Sequence, residues 1–250
     1  MNVLYAAWGI GMSEALTPSW VLHSRKYRDT SLILDLLTGE LGRVTVVSRG
    51  ARSKGGRLAS SLQPFRLFLA SWRGKGELKT LTNTDFPAPP LQITGQSQMI
   101  GKFVNELLVR LLVRHDPLPQ VVAGYGQLLT QLSIAKSTEV IEPALRRFEL
   151  QLLEELGYGI SFGIDAASGE CVSPGQTYRF QPGTGFVATS ESAGRYPGST
   201  LLRIEAGDLD GDSARTARDV TRAAIDDLLG GKPVSYTHLR AHETDSYLVC

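Results

Sequence analysis

Between residues 19 and 83 the apolar positions fall in short runs set apart by glycines and charges, and none of these runs keeps a helical period. Residues 19–24 make a short apolar segment, and Leu32, Ile33, Leu34, Leu36 and Leu37 make a second. Gly39 and Gly42 mark the turn that follows. Residues 43–48 are β-branched and alternate polar with apolar at their start, the pattern of a half-buried strand. Residues 62–72 supply a fourth strand, with Pro64 limiting its first positions, and residues 77–82 a fifth after the turn at Gly74 and Gly76. Five short strands in about 65 residues suit a small closed barrel.

The period changes past residue 85. Pro87, Pro89 and Pro90 crowd residues 86–90 and mark a linker. From 98 to 114, Ile100, Phe103, Val104, Leu107, Leu108, Leu111 and Leu112 follow i, i+3, i+4, i+7 spacing and predict a helix that Pro117 and Pro119 end. A second helix is expected over 121–135. A third opens at Pro143, a residue suited to a first helical turn, lays Leu145, Phe148, Leu152 and Leu156 on one face and stops at a C-cap, Gly157. Residues 158–200, rich in Gly, Ser, Pro and Thr, carry a hairpin signal at 178–180 and 185–187. A last helix spans 213–229, with Ser213 as its N-cap. No internal repeat is present. The class is α+β: a barrel over 19–84, then a mainly α-helical domain over 91–233, with 1–18 an N-terminal extension.

A chain of 250 residues has room for two modest domains or one large one, and 42% hydrophobic content with a mean hydropathy of −0.07 is that of an ordinary globular protein. No apolar run is long enough to span a bilayer, so no membrane partner is expected. The first 12 residues lack the charged start of a signal peptide, and Met12 offers an alternative start that would make residues 1–11 an upstream extension. Cys171 and Cys250 lie far apart and make no disulfide framework, which favours a reduced, cytoplasmic setting. Residues 234–250 have no clear helical or strand period and back-translate into a sequencing adapter. We take them as a sequencing-adapter scar, with the native protein truncated near Pro233 and Cys250, His238 and His242 without functional meaning.

Charge changes this picture. Residues 1–80 carry 12 Lys and Arg against 5 Asp and Glu, a net of +7, and the remainder carries 14 against 20, a net of −6. Arg49, Arg52, Lys54 and Arg57 place four cations in nine residues, loosened by Gly50, Gly55 and Gly56. Arg25, Lys26 and Arg28 make a second cluster, Arg73 and Lys75 a third, and Arg43 completes the set of candidate DNA-binding residues. Such groups neutralise phosphates and release counterions, giving affinity without sequence preference. Tyr27, Phe65, Phe68 and Trp72 are candidate base-stacking surfaces, although the apolar neighbours of the last three also suit a barrel core.

The residues Val21–Ser31, Gly42–Val44, Arg49–Lys54, Leu62–Phe65 and Gly76–Leu81, followed by Asn105–Leu108, Glu142–Leu150, Leu156–Gly159 and Gly230–Pro233, resemble the RecO family of bacterial recombination-mediator proteins. The match runs in order and at family-like spacing over about residues 20–233. The resemblance implies an OB-fold followed by a mainly helical domain. It implies binding of single- and double-stranded DNA, strand annealing, and loading of RecA on strands coated by single-strand-binding protein, with RecR as a partner. It also implies that the helical domain receives the acidic, Phe-ended C-terminal tail of single-strand-binding protein. Arg146 and Arg147, between Leu145 and Phe148, are the candidates for that contact; an ordinary polar helix face is the alternative.

Many members of this family carry a four-cysteine zinc motif after the Gly-Tyr-Gly segment, where this chain has only Cys171. Structural zinc needs four ligands, so no metal and a free thiol are expected. No phosphate-binding glycine loop, Ser/His/Asp set or Cys/His set sits in recognisable context, and no cofactor or catalytic residue is expected. Asp208, Asp210 and Asp212 resemble part of a calcium loop but lack its glycine and terminal glutamate. Three classes compete: a DNA-binding mediator without turnover, a generic OB-fold binder of RNA or single-stranded DNA without mediator activity, and a phosphoryl-transfer enzyme. The scattered barrel acids Asp29, Asp35, Glu40 and Glu77 disfavour the last, and the ordered helical motifs favour the first.

Overall fold

The computed structural model describes residues 16–53, 58–135, 137–190 and 194–230. They fall into two compact units, one ending at Ile134 and the other beginning at Ala135.

The first unit is built on β1 (Thr17–Tyr27), β2 (Ser31–Thr38), β3 (Gly42–Ser48), β4 (Leu67–Arg73) and β5 (Leu78–Asp85). These close into a barrel in the order β1-β2-β3-β5-β4, antiparallel throughout except for the β3–β5 pair. That is the five-stranded OB-fold the sequence leads one to expect. Leu32, Leu34 and Leu36 of β2 point inward with Val44 and Val46 of β3 and meet Val21, Phe68 and Ala70. The alternate residues Ile33 and Leu37 are buried as well. The helix α2 (Gly95–Leu111) packs on β1 and α3 (Pro119–Ile134) on β2, so β2 is covered on both faces and reads as an almost unbroken apolar run.

Two expectations need correction here. Residues 62–66 are not strand. A short helix, α1 (Leu58–Ser61), brings Leu58, Ala59 and Leu62 against the barrel core. Pro64 has no amide hydrogen for a ladder and Phe65 adopts φ 67°, so β4 starts only at Leu67. The proline-rich linker is also anchored. Phe86 stacks on Phe68 with ring centroids 5.6 Å apart, the Arg66 guanidinium lies 4.4 Å from the Phe86 centroid, and Arg66 Nη2 donates to the Ala88 carbonyl at 3.4 Å.

The second unit holds α4 (Thr138–Glu155), β6 (Thr177–Gln181), β7 (Gly185–Thr189), β8 (Tyr196–Pro197), α5 (Gly198–Glu205) and α6 (Asp212–Leu228). The strands form a small sheet in the order β7-β6-β8. Pro143 lies inside α4 rather than at its start, so it forgoes one hydrogen bond near the N-terminal end. At the other end Gly157 adopts φ 83°, its amide donates to the Glu154 carbonyl (2.9 Å), and the Tyr158 amide donates to the Leu153 carbonyl (2.8 Å). This pair of bonds is a Schellman cap. Ser213 is not the N-cap of α6: that position is Gly211, and the Ser213 hydroxyl donates to the Asp210 carbonyl at 2.7 Å. Phe162, Tyr178, Phe186, Tyr196, Leu201, Ile204 and Val220 make the core. Among the described residues, no helix is long and apolar enough to cross a membrane.

Candidate nucleic-acid interface

Strand register decides which cations meet. Arg25 of β1 lies opposite Ile33, Ile33 opposite Val47, Val47 opposite Thr80, and Thr80 opposite Arg73 of β4. Arg25 and Arg73 therefore belong to one row that runs round the closed barrel from β1 through β2, β3 and β5 to β4. Lys26 follows Arg25, and Arg28, at φ 49°, turns the chain into β2. The loop after β3 is tied to this turn: the Arg52 amide donates to the Thr30 carbonyl at 2.8 Å. Arg25, Lys26, Arg28, Arg49 and Arg52 thus share one end of the barrel. Lys75 lies in the β4–β5 connection beyond Arg73. Lys54 and Arg57 lie outside the described residues.

All of these placed side chains are exposed except Arg52, which is half-buried, and among the described residues none of them pairs with a carboxylate. The arrangement puts unpaired positive charge on the β1–β2 and β4–β5 connections, the loops with which OB-folds bind oligonucleotides. Of the four aromatic candidates, Phe68 and Phe65 are buried and Trp72 packs against the barrel core. Tyr27 stays half-exposed, with the Arg28 guanidinium 5.1 Å from its ring centroid.

Arg43 is placed differently. Its side chain is 12% exposed, and Nη1 donates to the carbonyls of Val109 and of Leu112 (3.0 Å), at the C-terminal end of α2. Nε lies 3.6 Å from Asp35 Oδ1, and the Arg43 carbonyl accepts from the His115 amide at 3.0 Å. The helix end has carbonyls with no partner inside the helix, and this guanidinium satisfies two of them. Arg43 therefore clamps α2 to the barrel instead of facing a phosphate. Its place inside a strand, beside Asp35 on the neighbouring strand, is the signal that sets it apart from the loop cations.

The helical pair also divides. Arg146 is buried, and its Nη1 donates to Glu149 Oε2 at 2.8 Å, an oxygen that also accepts from Thr221 Oγ1 at 2.7 Å. Arg147 is exposed. The same unit holds a cleft of about 470 Å³ lined by Tyr158, Ile160, Ile164, Phe180 and Leu228 among others, which the sequence pattern did not reveal. Tyr158 and Ile164 are exposed apolar side chains in a segment without periodicity, the only hint a sequence offers of such a site.

Among the described residues no group of three or more His, Cys, Asp or Glu is placed to hold a metal ion, and Cys171 is a free, exposed thiol. The acidic run before α6 is engaged locally. Asp208 accepts from Arg203 Nε at 2.8 Å and from the Asp210 amide at 3.2 Å, and these bonds hold its carboxyl below the usual carboxylate range.

Two family models match the chain: Recombination protein O N terminal over residues 12–88 and Recombination protein O C terminal over residues 95–236. The DNA repair protein RecO of Aliivibrio salmonicida (strain LFI1238) is 39% identical over 240 residues, covering 95% of this chain and 100% of that protein. The DNA repair protein RecO of Aliivibrio fischeri (strain MJ11) is 40% identical with the same coverage. That of Actinobacillus succinogenes is 41% identical over 232 residues, 92% of this chain and 96% of that protein.

Proposed function

The chain belongs to the RecO family of DNA repair proteins, and we propose that it acts there as a non-enzymatic mediator. In this reading it binds single- and double-stranded DNA through Arg25, Lys26, Arg28, Arg49, Arg52, Lys54, Arg57, Arg73 and Lys75, anneals complementary strands, and helps load RecA on strands coated by single-strand-binding protein. The observation that carries it is the set of exposed cations, unpaired among the described residues, on the β1–β2 connection, the loop after β3 and the β4–β5 connection. Each cation that meets a phosphate releases counterions, and two strands so neutralised repel each other less, which favours pairing without any covalent step. The DNA-binding barrel spans 19–84 and the mainly helical domain 91–233 in this proposal. The helical domain takes the acidic tail of single-strand-binding protein, with Arg147 as the exposed charge, and RecR is a further partner. A cytoplasmic, nucleoid-associated location goes with that role.

The test is annealing of complementary oligonucleotides, with and without bound single-strand-binding protein, alongside binding measured over a range of salt. Replacing Arg49, Arg52, Lys54 and Arg57 by Ala should slow annealing. Each lost phosphate contact should lower the log–log salt slope by about 0.7 on single strands and about 0.9 on duplex. An unchanged slope in this quadruple variant would remove the loop from the DNA surface.

A further inference from the structure

A groove of about 520 Å³ runs between β1 and α2, lined on the strand side by Leu22, His23 and Ser24, which lead up to the cations at the end of β1. Its apolar wall is formed by Leu22, Pro64 and Val109, and its polar rim includes His23 and Lys102. The buried Asn105 lies beneath it, donating from Nδ2 to the Leu22 carbonyl at 2.9 Å and accepting from the Tyr125 hydroxyl at 2.6 Å. Val21 and Pro64 form an isolated bridge beside it. These bonds hold strand and helix together under the groove, so it is a formed feature of the barrel unit.

We propose that this groove carries single-stranded DNA onward from the barrel loops, with Lys102 holding a phosphate and the His23 ring stacking on a base. The inference rests on the DNA-binding reading given above. His23 and Arg25 lie two residues apart on β1, hence on the same face and about 7 Å from each other. The groove is therefore continuous with the Arg25–Arg73 row. Its charge is complementary to a polyanion. Arg110 and Glu106 pair with each other at 2.8 Å and cancel, while Lys102 is exposed and has no carboxylate partner among the described residues. An apolar wall with one cation and one ring at its rim fits an unstacked base and its phosphate, the combination by which single strands are held without sequence preference. A duplex keeps its bases stacked inside and has nothing to place against Leu22, Pro64 and Val109.

The experiment uses the full chain and oligothymidylate, read by fluorescence anisotropy over a range of salt. Lys102→Ala, an exposed helical position where Ala is well tolerated, should lower the single-strand salt slope by about 0.7, which makes the loss of affinity on a fourfold rise in salt about 2.6-fold smaller. Lys102→Arg should restore the slope, and duplex binding should be unmoved by either change. Oligothymidylate carrying 5-iododeoxyuridine should photocrosslink to the peptide that contains His23, and His23→Ala should abolish that crosslink. An unchanged slope in Lys102→Ala, with crosslinks confined to the loop cations, would overturn the groove and leave the barrel reading standing. Absence of any binding by the wild-type chain would overturn both.

Discussion

Replacing Arg146 by Ala separates a structural arginine from a recognition arginine within one dipeptide. The Arg146 and Glu149 side chains are 8% and 3% exposed, and among the described residues their 2.8 Å bond is the carboxylate's one ion pair. In Arg146→Ala the carboxylate stays buried with the Thr221 hydroxyl as its remaining partner, 2.7 Å away. Stranding one member of a buried pair costs about 3–5 kcal/mol. The lower end applies, because Arg146 Nε itself has no hydrogen-bond partner among the described residues, so the pair is incompletely satisfied to begin with. A loss of about 3 kcal/mol moves a urea midpoint by about 1.5 M at a slope near 2 kcal/mol per M. Arg147→Ala, at an exposed position, should stay within about 0.5 kcal/mol of wild type. No tryptophan lies beyond residue 134, so tryptophan fluorescence does not follow the helical unit directly. Far-UV circular dichroism follows the long helices of both units, so unfolding of α4 and α6 is the part of its change that tryptophan fluorescence does not share. The double change Arg146→Met with Glu149→Leu should recover most of the loss, since it removes both charges together. An Arg146→Ala midpoint within about 0.3 M of wild type, a shift worth only about 0.6 kcal/mol, would show that Glu149 does not depend on Arg146.

Three further outcomes follow from the geometry. Gly42→Ala should destabilise the barrel far more than Gly50→Ala: both glycines have left-handed φ (64° and 67°), but a Cβ on Gly42 would lie 2.0 Å from the Asp116 carbonyl oxygen, while one on Gly50 meets nothing within 4 Å. Gly50→Ala should cost about 1–2 kcal/mol for the backbone alone, and equal thermal shifts in the two variants would sink the argument. Burial pushes the Tyr125 phenol well above its ordinary value of 10.0, against the opposing effect of the Asn105 hydrogen bond. Its folded pKa is raised, so its contribution is fully present below about pH 10 and is lost as pH rises further, by about 1.4 kcal/mol per pH unit; Tyr125→Phe should flatten that alkaline loss in denaturant titrations, and an unaltered slope would contradict the assignment. Titrating a fluorescent acidic peptide with a terminal Phe should show weaker binding to Arg147→Ala than to wild type. The effect should be well under 2 kcal/mol if the contact is solvated, and wild-type affinity in this variant would reject Arg147 as the docking charge.

The barrel and the long helices were legible because their signals are local. The seven apolar positions between Ile100 and Leu112 reflect the face that the helix presses on β1 and α3, and the β-branched run in residues 43–48 marks a strand, although Val44 to Ser48 are all buried and the half-burial read from the alternation does not hold. What stayed hidden depends on residues distant in the chain. Nothing near Arg43 announces the carbonyls of Val109 and Leu112 that take up its guanidinium, 66 and 69 residues away. Arg146 meets Glu149 three residues on, but the burial that turns this pair into a structural one comes with Thr221, 72 residues further along than Glu149. The short helix at Leu58–Ser61 was masked because Leu58, Ala59 and Leu62 are placed for the barrel core and show no helical repeat in so few residues.

These misses share a cause, and it bears on the proposed DNA surface. Counting cations treats every Arg and Lys as a free charge, yet a guanidinium inside a regular element is within reach of buried carbonyls and carboxylates, and satisfying them is worth more to the fold than exposure. Arg43 inside β3 and Arg146 inside α4 are both consumed in this way. The cations at strand ends and in loops find no such partners among the described residues: Arg25, Lys26 and Arg28 at the end of β1, Arg49 and Arg52 after β3, Arg73 and Lys75 at the β4–β5 connection. The same criterion admits Lys102, which lies on a helix but on its exposed stripe with Gln98, whereas Arg110 on that stripe is already paired with Glu106. In the proposed interface a phosphate contact differs from a structural arginine in whether its element leaves the side chain in solvent or turns it onto buried carbonyls and carboxylates, and the salt slope of each single variant measures that distinction one charge at a time.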